Sequence, residues 1–178
     1  MKMLGRKFFE RDTILVAREL LGKKIVRVYR GKRIEGIIME TEAYRGLDDK
    51  ASHASRGKTE RTSIMFDHAG TIYVYLIYGM YYCLNIVTEK KEYPAAVLIR
   101  GIKAGEREIN GPGRVCKFLK IDKKLNEKSL SRKNGIWIEE GIKISQKKIK
   151  KAPRIGVDYA GRHWAGKLWR FYIKSARV

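Results

Sequence analysis

Two carboxylates and a tyrosine share one face of a short predicted strand. In the run Met-Glu-Thr-Glu-Ala-Tyr, residues 39–44, strand alternation puts Glu40, Glu42 and Tyr44 on the same side. A carboxylate beside an aromatic ring, at the end of a strand and before a loop, can serve as a general base or acid. Because exposed glutamate is common, this segment alone favours a solvated strand face over a catalytic site by about two to one.

A single histidine, His53, follows in a polar segment, 45–67, that has no clear hydrophobic period. A long loop inside a compact domain is more often functional than idle. A lone histidine there is nevertheless more often a surface residue or a structural hydrogen-bonding group than a catalyst. No second His, Cys or acid stands at ligand spacing, so the sequence predicts no metal site and no cofactor.

Tyrosine is concentrated in residues 73–82, where it occupies five of ten positions around Gly79, the predicted tip of a tight hairpin. Aromatic rings can hold unstacked bases, and a tip that carries Tyr78 and Met80 can act as a wedge in place of an extruded base. Tyr73 is assigned to the core, because aromatic residues are common in strands. The ring of Tyr78 has little core to enter at a hairpin tip and is assigned to function.

Three further features lie beyond the hairpin tip. Asn85 occupies the following strand, and Arg100 ends the apolar run 97–99. An arginine at that position needs an anionic partner if it points inward, and Glu42 is the candidate. The run 111–114, Gly-Pro-Gly-Arg, resembles a short phosphate cradle at a helix start, but it lacks P-loop spacing and is a weak signal by itself.

The elements that must position these residues are mostly short strands. A helix is predicted from Asp12 or Thr13 to Gly22, and a short one after 111–113. No repeat, linker or boundary interrupts the chain. We therefore expect one α+β domain, residues 1–178, around a mainly antiparallel sheet. Its predicted strands are 24–29, 34–44, 71–77, 82–88, 95–100, 135–139 and 168–173.

Charge is the strongest compositional signal. Forty basic residues face 19 acidic ones, for a formal net charge of +21. Enrichment in both Lys and Glu, as in thermophiles, does not produce this imbalance, whereas a nucleic-acid partner would neutralise it. The chain has no membrane-length apolar run and no signal-peptide core, so we expect a cytoplasmic (nucleoid-associated) or nuclear protein that is neither membrane-bound nor secreted. Cys83 and Cys116 match no zinc or disulfide pattern and are predicted to be buried.

The sequence resembles the alkyladenine (3-methyladenine) DNA glycosylase family over nearly its whole length. The order and spacing of the Glu-Ala-Tyr, His, Tyr-Gly-Met and Cys-x-Asn elements are specific to that family. The matching segments are 8–22, 40–53, 59–66, 70–85, 95–101, 111–115, 153–161 and 169–173.

The resemblance implies a single mixed α+β domain around a curved antiparallel sheet with a protruding hairpin. It also implies that Glu42 is the general base that activates water, and that Arg100 and the main-chain carbonyl of Ile155 help to hold that water. The expected reaction is hydrolysis of the N-glycosidic bond through an oxocarbenium-like sugar, which leaves an abasic site.

Base recognition follows from the same resemblance. Tyr44 and Tyr75 would sandwich the flipped base, and His53 would close the pocket. Asn85 would crowd the exocyclic amine of normal guanine. Two tyrosine faces would favour positively charged alkylpurines.

The substrate implied is double-stranded DNA that contains a damaged purine. Tyr78 would enter the minor groove as the wedge, supported by Met80, and the protein would act as a monomer. Related enzymes excise 3-methyladenine, 7-methylguanine, hypoxanthine or ethenoadenine, and the sequence does not choose among them. No lysine is among the pocket residues that the resemblance implies, so no Schiff base and no strand cleavage are expected.

Two other functions could also be considered for this sequence. A non-catalytic module that binds single-stranded nucleic acid would explain the tyrosines and the charge, but it gains nothing from the carboxylate of Glu42 beside a stacking ring. A basic structural protein of the ribosome or nucleoid does not explain the clustered Tyr, Glu, His and Asn residues.

Overall fold

The computed structural model describes residues 1–173. Within them, nine strands form one open sheet, and each of their pairings is antiparallel, as predicted. The main path runs β3-β4-β5-β2-β1-β7; β6 pairs with β5, and β9 pairs with β2 and β8. The strands are β1 (Lys24–Tyr29), β2 (Lys32–Arg45), β3 (Ile72–Ile77), β4 (Tyr81–Val87), β5 (Ala95–Ala104), β6 (Arg107–Asn110), β7 (Ile136–Glu139), β8 (Ile149–Ala152) and β9 (Arg170–Ile173).

The helices are few and short. They are α1 (Arg6–Phe9), α2 (Thr13–Glu19), α3 (Pro112–Phe118) and α4 (Gly161–Ala165). Asp12 caps α2 as predicted, because its carboxylate accepts the N–H of Leu15 at 2.9 Å. Val16 and Ala17 of α2 are fully buried in the main apolar core. None of the helices in residues 1–173 is long and apolar enough to cross a membrane.

Strand β2 carries Glu40, Glu42 and Tyr44, and the strands with which it pairs differ along its length. It pairs with β1 at its start and with β9 at Glu40–Glu42, while β5 lies on its other side. The register with β5 shifts on both sides of Glu40, as at a β-bulge. Thr41 and Ala43 are fully buried, with Ala43 in the main core and the Thr41 hydroxyl bonded to helix α2. Alternation then directs Glu42 to the opposite face of the sheet.

The predicted hairpin is formed by β3 and β4. Tyr78 and Gly79 both have positive φ, 51° and 67°, as in the tight turns whose twist matches paired strands. The tip is exposed, with 86% of Tyr78 and 66% of Met80 accessible to solvent. Helix α3 packs against the start of β4, next to the turn, because a Cβ on Gly113 would lie only 3.0 Å from the Tyr81 side chain.

Some elements were missed or misplaced by the sequence patterns. Helix α2 ends at Glu19 rather than Gly22, and β5 continues to Ala104. The expectation of one strand between residues 117 and 151 is wrong, because β8 also lies there, and β6, α1 and α4 were not predicted. Each missed element has five residues or fewer, too short to show a hydrophobic period. Both cysteines are buried and free, as predicted.

Candidate active site

A cavity of about 370 Å³ opens on the sheet face opposite the main core. This volume lies within the range of about 300–1,000 Å³ that is typical of small-molecule pockets. Of the nine predicted site residues, eight line the cavity, and Met80 at the hairpin tip does not. Those eight are Glu42, Tyr44, His53, Tyr75, Tyr78, Asn85, Arg100 and Ile155.

Glu42 is completely buried, so the interpretation of its strand face as solvated is wrong. Its Oε1 accepts the N–H of Ile155 at 2.9 Å and lies 3.4 Å from Nε of Arg100. Its Oε2 accepts the hydroxyl of Tyr44 at 2.7 Å. Burial raises the pKa of Glu42, while Arg100, the Ile155 N–H and the Tyr44 hydroxyl partly oppose that rise. The result is a carboxylate of raised basicity beside a cavity.

Arg100 lies between two carboxylates. Its Nε is 3.3 Å from Oε1 of Glu40 and 3.4 Å from Oε1 of Glu42. The expected pairing of Arg100 with Glu42 is therefore present, and Glu40 is a second partner that the sequence patterns did not identify. Glu40 also accepts a hydrogen bond of 3.0 Å from Nη1 of Arg170.

Ile155 reaches Glu42 through its backbone, but the group in contact is the N–H and not the carbonyl. The role expected for the carbonyl stays a prediction. The neighbouring residue holds this segment in place, because Arg154 forms two hydrogen bonds with Asp49, of 2.6 and 2.8 Å, and both side chains are fully buried. The guanidinium of Arg154 also stacks on Tyr44, 4.7 Å from the ring centroid. This ion pair therefore links the backbone donor of Glu42 to a wall of the cavity.

The two tyrosines expected to contact a base both line the cavity and are both neutral at physiological pH. Burial, with the adjacent Glu42 carboxylate, raises the pKa of Tyr44 well above its usual value. Burial raises the pKa of Tyr75 as well. The ring of Tyr75 meets His53 edge to face at 4.6 Å, which fixes the relative orientation of the two rings.

His53 is a partly buried residue of the cavity wall. Its Nδ1 is 3.0 Å from the hydroxyl of Tyr73, and burial together with the charge of Arg61 lowers the pKa of His53 to about 4. The ring is therefore neutral at physiological pH. The assignment of Tyr73 to the core is confirmed, because Tyr73 is buried in a second apolar cluster; it also lines the cavity and contacts His53.

Asn85 and Cys83 complete the wall on strand β4. Asn85 is buried, and its Nδ2 donates to the carbonyl of Tyr73 at 3.3 Å, which holds the amide in one orientation. Burial raises the pKa of Cys83 to about 11, so its thiol is protonated and contributes shape rather than nucleophilicity.

A second recess, of about 640 Å³, adjoins the cavity, and His53 and Tyr159 line both. Its lining includes the exposed cations Lys50, Arg56 and Arg61, several hydroxyl groups and no acid. Sequence reasoning missed this recess. The available signal was the concentration of Ser, Thr, Lys and Arg around His53 in residues 50–62.

Comparisons with known proteins agree on one family. The model of a family described as methylpurine-DNA glycosylase (MPG) matches residues 7–177. A protein of Legionella pneumophila strain Corby, named "Putative 3-methyladenine DNA glycosylase", is 50% identical over 178 residues, which cover 98% of this chain and 96% of that protein. Proteins with the same name from Methanocella arvoryzae and Clostridium perfringens strain SM101 are 46% and 44% identical. The matches cover 99% and 97% of this chain, and 94% and 96% of those proteins.

Proposed function

Because the chain belongs to the methylpurine-DNA glycosylase family and is a DNA glycosylase of base-excision repair, we propose that Glu42 activates water for excision of damaged purines. The observation that supports this role is a fully buried carboxylate that faces a cavity of suitable size. The causes that raise the pKa of Glu42 make it a stronger base than an exposed glutamate.

The proposed reaction is a hydrolysis. The C1′–N9 bond breaks with its electron pair going to the base, and positive charge develops on the sugar. Glu42 takes a proton from water as the water oxygen bonds to C1′. Arg100 offers positive charge beside Glu42, where it can also bind a phosphate or the water. An alkylated, cationic base leaves as a neutral molecule, whereas a neutral base such as hypoxanthine needs a proton from another source.

In this proposal the walls of the cavity receive the flipped purine. Tyr44 and Tyr75 offer neutral rings for stacking, and Asn85 is held where it can crowd the amine of a normal guanine. Neutral His53 can donate one hydrogen bond to the base if the Tyr73 hydroxyl donates to Nδ1, because the remaining proton then lies on Nε2. His53 is therefore a hydrogen-bonding group in this proposal, not the acid that protonates the leaving base near neutral pH.

The substrate is DNA, and the proposal specifies a duplex with one damaged purine. The exposed ring of Tyr78 would fill the space left by the flipped base, with Met80 beside it at the tip. The basic recess formed by Lys50, Arg56 and Arg61 would bind the backbone next to that nucleotide. One chain supplies each of these features, so a monomer is sufficient.

We propose hydrolysis without strand cleavage. No lysine is among the described residues that line the cavity. These residues therefore offer no side-chain amine that could form a Schiff base with C1′. Excision should therefore yield an intact strand with an abasic site. Borohydride trapping of a covalent protein–DNA adduct would contradict this part of the proposal.

Single-turnover excision from duplex oligonucleotides that carry hypoxanthine or ethenoadenine tests the central claim. Wild type should release the base, and Glu42→Gln should bind the lesion duplex but excise at least about 100-fold more slowly. Equal rates for the two proteins would remove Glu42 from the reaction. Methylated DNA should be assayed in parallel, because the proposal covers 3-methyladenine and 7-methylguanine as well.

A further inference from the structure

Glu40 is a partly buried carboxylate just outside the cavity that the proposed reaction does not use. Only 16% of its side chain is exposed, and it is not among the residues that line the cavity. Its Oε1 contacts two arginines, Nε of Arg100 at 3.3 Å and Nη1 of Arg170 at 3.0 Å. Both contacts cross between strands and converge on the bulge in β2.

The hydrogen bonds of Glu42 show which of its acceptor sites remain open. A carboxylate offers about four acceptor sites. Oε1 of Glu42 uses one of them for the Ile155 N–H and lies 3.4 Å from Nε of Arg100 in an ion pair, whereas Oε2 uses one for the Tyr44 hydroxyl. Among the described residues, no other donor reaches Glu42. The remaining site on Oε2 is therefore free to accept a proton from water.

If Arg100 paired with Glu42 alone, it would occupy the open acceptor site on Oε2. Arginine and carboxylate commonly pair through two parallel hydrogen bonds, because the planar fork of the guanidinium matches both carboxylate oxygens. With a two-bond pair to Glu42, Arg100 would occupy Oε2 as well as Oε1. Glu40 accepts the hydrogen bond of Nε at 3.3 Å, so that Arg100 meets Glu42 as an ion pair through Nε at 3.4 Å and not as a two-bond pair.

Arg170 holds Glu40 in the position that this competition requires. Besides its bond to Glu40, Arg170 donates from Nε to the carbonyl of Pro153 at 2.8 Å. Pro153 begins the segment that carries Ile155 and its N–H donor to Glu42. One arginine thus fixes both Glu40 and the backbone that binds Oε1 of Glu42.

We propose that Glu40 is a positioning residue for base excision, which acts by dividing Arg100 between two carboxylates so that Oε2 of Glu42 stays open to water. This inference rests on the proposed role of Glu42 as the general base. It assigns to Glu40 no contact with substrate and no proton transfer of its own.

The test compares Glu40→Gln with Glu35→Gln in single-turnover excision across pH. Glu35 is a matched control, because it lies on the same strand, bridges Lys24 and Arg33 at its surface, and loses the same charge on substitution. Glu40→Gln should lower the plateau rate by about 10–100-fold, the scale expected for misplaced catalytic groups. The acid limb of its pH–rate profile should also move to lower pH. Glu40 raises the pKa of Glu42, and an Arg100 that no longer pairs with Glu40 lowers that pKa. Glu35→Gln should change neither.

A double-mutant comparison separates positioning from simple loss of structure. If Glu40 acts through Arg100, then Glu40→Gln should have little further effect on the rate in an Arg100→Gln background. Multiplicative losses, or a lower rate with an unmoved acid limb, would overturn the proposal. Full activity of Glu42→Gln would instead overturn the proposed function itself, so the two failures are distinguishable.

Discussion

The hydroxyl of Tyr44 donates a hydrogen bond of 2.7 Å to Oε2 of Glu42, two residues earlier on the same strand. Strand alternation places the two side chains on one face, and both line the cavity. The ring of Tyr44, which is proposed to stack on the base, is thereby hydrogen-bonded to the carboxylate proposed to activate water. Base position and water position are consequently coupled through one strand of the sheet.

Removal of this hydrogen bond should make excision more sensitive to acid. Tyr44→Phe keeps the ring but withdraws a donor that lowers the pKa of Glu42, so that pKa should rise further. A general base works when deprotonated, so the acid limb of the rate should move to higher pH by roughly one unit. Tyr75→Phe is the control, because the bonds of Glu42 do not include Tyr75. A limb that stays in place in Tyr44→Phe would refute the coupling.

The titration of His53 should lie well below neutrality. Burial and Arg61 lower its pKa to about 4, so the ring should remain neutral at about pH 5 in an NMR titration of the imidazole nitrogens. The unfolded chain protonates its histidines near pH 6.5. His53 should therefore cost stability progressively as pH falls from about 6.5 towards 4, and His53→Gln should lose less stability over that interval. A cationic His53 at about pH 6 would contradict the structure.

The hairpin tip should matter for duplex substrates and not for stability. Tyr78 is 86% exposed, so Tyr78→Ala should change the free energy of unfolding by no more than about 0.5 kcal/mol. Excision from a lesion duplex should fall by about 10–100-fold, because the wedge offsets part of the cost of unstacking. Tyr78→Phe should retain most of the rate. Equal losses on single-stranded and duplex lesions would argue against a wedge.

The basic recess should contribute a defined part of the salt dependence of DNA binding. Arg56→Gln should lower the slope of log K against log salt by about 0.9 for each phosphate that the variant no longer neutralises. Neutral methylphosphonate linkages, placed one at a time around the lesion, should weaken wild type at one position and leave Arg56→Gln unaffected there. Lys32→Gln, at the exposed start of β2, removes the same charge elsewhere and is the matched control. An equal change in slope for both variants would mean that the recess does not bind a specific phosphate.

Local patterns predicted the parts of the fold in which neighbouring residues decide the outcome. Asp12 caps α2 because its carboxylate reaches an N–H three residues on. Tyr78 and Gly79 form the turn between two strands that pair directly. Strand ends proved less predictable, since β5 continues past Arg100 to Ala104 by pairing with β6, a strand too short to show a pattern of its own.

The residues of the site were predictable as a set, but their contacts were not. The family pattern picked out Glu42, Arg100 and Ile155 from three distant parts of the chain. It implied the carbonyl of Ile155, whereas the N–H faces Glu42. Glu40 looked equivalent to Glu42 by alternation, and the bulge in β2 gives the two carboxylates different surroundings.

The sequence by itself determined the nucleic-acid partner through its charge, the antiparallel sheet through its short alternating strands, and the family through the spacing of its motifs. Only the tertiary structure decided that Glu42 is buried, that Arg100 lies between two carboxylates, and that Arg154 pairs with Asp49. The physical reason is that alternation tells which face of a strand a side chain occupies, while burial depends on what covers that face. For Glu42 the cover includes a backbone segment 113 positions away in the chain, which no local pattern contains.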